Sequence, residues 1–193
     1  MTAPVEEPTS VEPSSQGPPF EELAVELGER LCREAIWHED RCTWLGDEVD
    51  PSGRAGMVVH RAMGADLYNG TAGIGWFLAH LARRTGDAGH RRTAAGALRH
   101  ALSRWDGAHP GLYTGQAGIA LAAATAGGAM GEAAVVAAGR ERGASLAVAA
   151  EPDLLAGAAG TVLALLALGR VGAAVEVGDA LLARAVRSLG GWC

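Results

Sequence analysis

A chain of 193 residues can bury one substantial core. Its apolar content is mostly Ala, Leu and Val, with β-branched and aromatic residues sparse, which favours helices over strands. The formal net charge of −6 speaks against nucleic acid as a partner, because tracking a phosphate backbone needs an extended basic surface. All 16 basic residues are Arg, so neither a Schiff-base lysine nor a phosphate-loop lysine comes from this chain.

Met1 to Pro19 carry five of the eight prolines, among Glu, Ser and Thr, and are expected to form a disordered tail. The tail lacks the basic start and apolar run of a signal peptide. Cys32, Cys42 and Cys193 make an odd, sparse set that gives no disulfide framework, so a cytoplasmic, reducing location is expected. Phe20, Leu23, Leu27, Leu31 and Ala35 fall at helical spacing and predict a first amphipathic helix to about His38. Residues Glu39 to Gly64, polar and carrying Pro51, Gly53 and Gly56, read as a long irregular connection.

A repeat follows. Leu67-Tyr68-Asn69-Gly70-Thr71-Ala72-Gly73-Ile74 is echoed by Leu112-Tyr113-Thr114-Gly115-Gln116-Ala117-Gly118-Ile119. It is echoed again by Leu154-Leu155-Ala156-Gly157-Ala158-Ala159-Gly160-Thr161. The first glycines lie 45 and 42 residues apart, a period that marks repeated supersecondary units. Each copy leads into an apolar helix (Ile74 to Arg83, Ile119 to Thr125, Val162 to Leu168). A second, Ala/Arg-rich helix follows each: about Gly89 to Trp105, Glu132 to Ala149 and Val171 to Leu189. The unit is a helical hairpin, three times over. Helices apolar nearly all round must be enclosed, and those with a polar face belong outside. The expected fold is all-α, an α/α toroid, with a straight solenoid of hairpins as the competing architecture. The apolar stretch Leu154 to Val177 is broken by Gly157, Gly160, Gly169, Arg170, Gly172 and Glu176, so no membrane span is expected.

The Gly-x-Ala-Gly openings at this spacing resemble the lanthionine synthetase C-like family over roughly Phe20 to Trp192. The resemblance implies a toroid of seven hairpins, of which about three are present, so an incomplete barrel over 20–193 is expected. It implies lanthipeptide biosynthesis: cyclases that add cysteine thiols to dehydrated Ser or Thr of a precursor peptide, with zinc held by two cysteines and a histidine. Asp153, four before Gly157, matches the family's acidic position with an acid/base role and is the one catalytic candidate; a helix N-cap is its structural alternative. The family's zinc motifs, Trp-Cys-x-Gly and Cys-His-Gly in later repeats, have no counterpart. The chain contains no Cys-His pair, and Trp192-Cys193 lacks the arginine expected where Leu189 stands. Zinc is therefore implied by resemblance without ligands here, and the chain is expected to be inactive alone. A non-catalytic scaffold for a peptide or a completing subunit is the alternative.

Remaining polar residues read as structural. Cys32, His38 and Cys42 lie within eleven residues, but Cys32 is expected to pack beside Leu31. His80, His90 and His100 are expected at the surface; Trp37, Trp44, Trp76 and Trp105 in packing; Tyr68 and Tyr113 in a structural role. A carbohydrate-acting toroid would need two facing carboxylates, and only Asp66 could join Asp153.

Overall fold

The computed structural model describes residues 19–49, 58–107, 109–147, 149, 151–188 and 191–192. The expected tail before Pro19 and the Cys193 question lie outside them. The fold is mostly helical, with short two-stranded ribbons. Among the described residues no helix is long and apolar enough to cross a membrane.

Helix α1 (Phe20–Glu34) starts with Glu21 and Glu22 and ends with Arg33, charges that suit its dipole. It stops short of the expected His38. Ile36–His38 is strand β1, paired antiparallel with β2 (Arg41–Thr43) so that Trp37 faces Cys42. A two-residue turn joins them, and Glu39 adopts the left-handed φ of 56° that such turns need. The expected irregular connection also contains β3 (Leu45–Val49) and β4 (Val58–Ala62), antiparallel from Leu45 opposite Ala62 to Val49 opposite Val58. In this ribbon β4 stands largely in solvent, with only its Val59 partly covered. No apolar face alternates along it, so no period-two signal announced it.

The three hairpins are α2 (Thr71–Thr85) with α3 (Ala88–Ser103), α4 (Gln116–Met130) with α5 (Ala133–Ala144), and α6 (Ala158–Ala167) with α7 (Val171–Arg184). Each is the unit read from the repeat. α2 packs on α4 and α4 on α6, forming one row, with α3 and α5 touching behind it. Helix α4 is buried on most sides, as its apolar sequence demands. Gly86 and Gly131 close α2 and α4 in the left-handed conformation that glycine takes without strain. At α5, a Cβ on Gly139 would lie 2.7 Å from the Ala124 nitrogen, so glycine there lets the two helices of the hairpin touch through backbone. Two further strands, β5 (Arg187–Ser188) and β6 (Gly191–Trp192), pair after α7.

Helix α3 departs from a simple outer helix. One side packs on α2 and the other lies beneath α1 and the β1–β2 ribbon. The ring of Trp37 and the Cys42 sulfur fill the space above Gly96. This cover corrects the reading of the histidines: His80 is exposed, but His90 is buried and His100 half-buried. The sequence located neither ribbon, so nothing marked that face of α3 as interior. Trp44 is buried, and Trp37, Trp76 and Trp105 pack against the core as expected. Cys32 also packs there.

At the α6–α7 end the apolar side chains lose their cover. Leu154, Leu155, Leu163, Leu166, Val171 and Val175 are each about half exposed.

Candidate functional site

The repeat loops form one continuous surface at the N-terminal ends of α2, α4 and α6. In each hairpin the loop coils back over the first helical turn. The Thr71 amide donates to the Gly64 carbonyl (2.9 Å), Gln116 to His109 (2.6 Å) and Ala158 to Glu151 (2.8 Å). The next amides repeat the pattern: Ala72 to Ala65, Ala117 to Pro110, Ala159 to Pro152. Orphan helix amides are thus satisfied by carbonyls seven residues earlier, and Gly70, Gly115 and Gly157 serve as N-caps without any side chain. The second glycine of each motif meets the loop again. A Cβ on Gly73, Gly118 or Gly160 would strike the carbonyl oxygen of Leu67, Leu112 or Leu154.

Neighbouring loops are joined at one repeated position. The Tyr68 amide donates to the Tyr113 carbonyl (2.9 Å), and the Tyr113 amide to the Leu155 carbonyl (2.8 Å). Tyr68 and Tyr113 therefore hold the array through their backbones, while the Tyr68 ring is exposed.

Asp153 lies on this surface, exposed. Its Oδ1 accepts from the amides of Leu155 (2.7 Å) and Ala156 (2.9 Å). Asp66, at the same place in the first repeat, accepts from Tyr68 and Asn69, both at 2.9 Å. The structural role of Asp153 is therefore to brace the loop, not to cap α6, whose N-cap is Gly157. The second repeat has Gly111 instead, because the Ala156 backbone fills the space a side chain would take.

Between the first two loops is a polar cavity of about 140 Å³, lined by Asp66, Arg104, Asp106, His109 and Gln116. Gln116 is only 5% exposed. Its Nε2 donates to Asp106 Oδ1, while its Oε1 is buried without a partner. The repeat reading missed this cluster. Its signal was Gln116 itself, the polar residue that opens an otherwise apolar helix.

Cys32, His38 and Cys42 do not fit a zinc site. Burial pushes the Cys42 thiol up to about 12, and burial also raises Cys32. The Cys42 thiol instead donates to the Thr93 carbonyl (3.4 Å). Among the described residues no three His, Cys, Asp or Glu side chains gather as a metal would require.

Paired helices repeated in register, with carbonyl-capped glycine openings and hydrogen-bonded loops, define a helical-hairpin repeat protein. The chain matches the model of the lanthionine synthetase C-like proteins over residues 61–189. It belongs to that family, as the Gly-x-Ala-Gly openings led one to expect. A comparison with curated proteins found no match.

Proposed function

We propose that this chain forms the opening wall of a lanthionine synthetase C-like toroid acting in peptide thioether cyclisation. The loop ladder carries this reading. Family membership supports it, as does the open α6–α7 edge, where a further hairpin of the same kind would cover Leu163 and Leu166. In the two junctions present, the leucine before one motif supports a glycine of the next. Leu67 Cβ lies 3.0 Å from a Cβ built on Gly118, and Leu112 Cβ 2.7 Å from one on Gly160. Leu154 is the next in that series and is about half exposed.

In this reading the precursor peptide lies over the loop surface, and Asp153 handles a proton of the addition. The family's zinc would present the peptide thiol as thiolate, but no ligand set for it gathers among the described residues. No step is assigned to a metal on this chain. The chain alone is expected to cyclise nothing. A non-catalytic scaffold is the second reading, favoured by the same apolar edge, which would then dock a partner subunit.

Two experiments separate these ideas. Light scattering on the purified chain should show self-association or capture of a completing hairpin segment through the α6–α7 edge. A clean monomer that ignores such a segment argues against extension. At Asp153, alanine removes both loop bonds and should cost about 1 kcal/mol, since exposed hydrogen bonds contribute little net energy. Asp153→Asn keeps an acceptor oxygen and should be nearly neutral in thermal melts. In an assembly that cyclises peptide, both variants should lose activity. Full activity of Asp153→Asn would reduce the residue to a brace.

A further inference from the structure

A second cavity, of about 310 Å³, lies where the β1–β2 ribbon crosses the C-terminal end of α3, and Arg104 lines both it and the cavity between the loops. Its polar lining is His38, Arg41, Thr43, His100, Ser103 and Arg104. No acidic side chain lines it. For a chain of net charge −6 this is an unusual concentration of positive charge.

The arginines elsewhere are largely occupied. Arg30 pairs with Glu34, Arg84 with Glu21, and Arg91 and Arg99 with Glu132, while Arg92 and Arg142 lie over Trp37 and Trp105. Arg104 forms no ion pair within 4 Å among the described residues, although Asp66 and Asp106 share the loop cavity with it. Among the described residues Arg41 pairs only with Glu39, at 3.8 Å, on a glutamate that is 73% exposed, a contact of little energy. Asp40, the other acid of the turn, is paired with Arg99.

The remaining groups add donors. Thr43 Oγ1 is buried without a partner, which is costly unless something accepts from it. His100 Nδ1 lies 3.0 Å from Thr71 Oγ1, an interaction that leaves its Nε2 for the cavity. The Ser103 hydroxyl donates to the His100 carbonyl and fixes the floor. Burial, then Arg104 and Arg41, hold His100 below the ordinary histidine range, so both guanidinium groups act on the same spot.

The geometry points to an anion site in this cavity: Arg41 and Arg104, with the Thr43 hydroxyl and the two imidazoles, bind a phosphate group. Guanidinium groups suit phosphate because their forked donors match its oxygens. The volume admits a phosphate with a small organic substituent, at the lower end of ligand pockets. Its binding groups come from the ribbon and the C-terminal end of α3, with Thr71 of α2 steadying His100, and phosphate binding there does not depend on the chain taking part in cyclisation.

Inorganic phosphate is the first probe, titrated calorimetrically into the full chain at fixed ionic strength, with chloride as the control. Saturable binding that chloride does not reproduce is expected. Arg104→Gln and Arg41→Gln should each weaken it at least tenfold, roughly the worth of one charged hydrogen bond. Arg140→Gln, on the exposed side of α5, should change nothing. Melting curves of each variant show that the fold survives. O-Phosphoserine is the second probe. Tighter binding than inorganic phosphate marks the site as one for phosphate esters, and equal binding as one for the free anion. Non-saturable uptake, or unchanged binding in Arg104→Gln and Arg41→Gln, overturns the proposal.

Discussion

Gly118→Ala should destabilise the protein by about 3 kcal/mol, at the upper end of overpacking costs. On an open helix the same change would stabilise by about 0.5–1 kcal/mol, because alanine loses less backbone freedom on folding. Two contacts decide the sign. A Cβ on Gly118 strikes the Leu112 carbonyl oxygen, part of a loop held by its own hydrogen bonds, and lies 3.0 Å from Leu67 Cβ in the neighbouring repeat. Backbone cannot rotate aside as a flexible side chain does. Gly128, exposed on the same α4, meets nothing within 4 Å and supplies the control. Urea unfolding of both variants tests the argument. Gly128→Ala should gain stability while Gly118→Ala loses it, and equal effects would mean that the loop yields.

Trp44→Ala should cost about 3–5 kcal/mol, the usual range for deleting a buried aromatic side chain. Trp44 is 3% exposed. Its indole Nε1 donates to the Leu31 carbonyl at 2.9 Å, satisfying one of the last acceptors of α1. One side chain therefore ties the ribbons to α1. Such a loss is a large share of the stability of a typical domain, ~5–15 kcal/mol. Trp44→Phe keeps most of the buried ring and loses the indole donor, so it should cost markedly less. Equilibrium unfolding of the pair checks this; an alanine variant losing under about 1 kcal/mol would show that the ribbons pack independently.

The repeat was legible because its constraints are local. Each loop satisfies its own helix, so each copy needs glycine at the same two places, and the sequence repeats what the backbone repeats. The helix pairs followed from composition and period. The β3–β4 ribbon was not legible, because β4 stands largely in solvent and carries no alternating apolar face, and β1 and β2, at three residues each, are too short to show a period. His90 was misread for a related reason. Its burial comes from α1, where Gly28 closes on its ring, a contact 62 positions away that no local pattern on α3 encodes. Asp153 was singled out by family resemblance. Its bracing bonds to Leu155 and Ala156 were not legible, although Asp66 repeats the position in the first loop.

The open edge and the scattered cysteines and histidines fit the proposed function, in which this chain contributes wall and loop surface to thioether cyclisation and the described residues hold no zinc. Cys42 lies in the core with its thiol bonded to the Thr93 carbonyl, and among the described residues no three metal-ligating side chains gather. Metal analysis of the purified chain, equilibrated with zinc and then freed of loosely held ions, tests this account most directly. Zinc far below one per chain is the result it predicts, and one tightly held zinc per chain would contradict it.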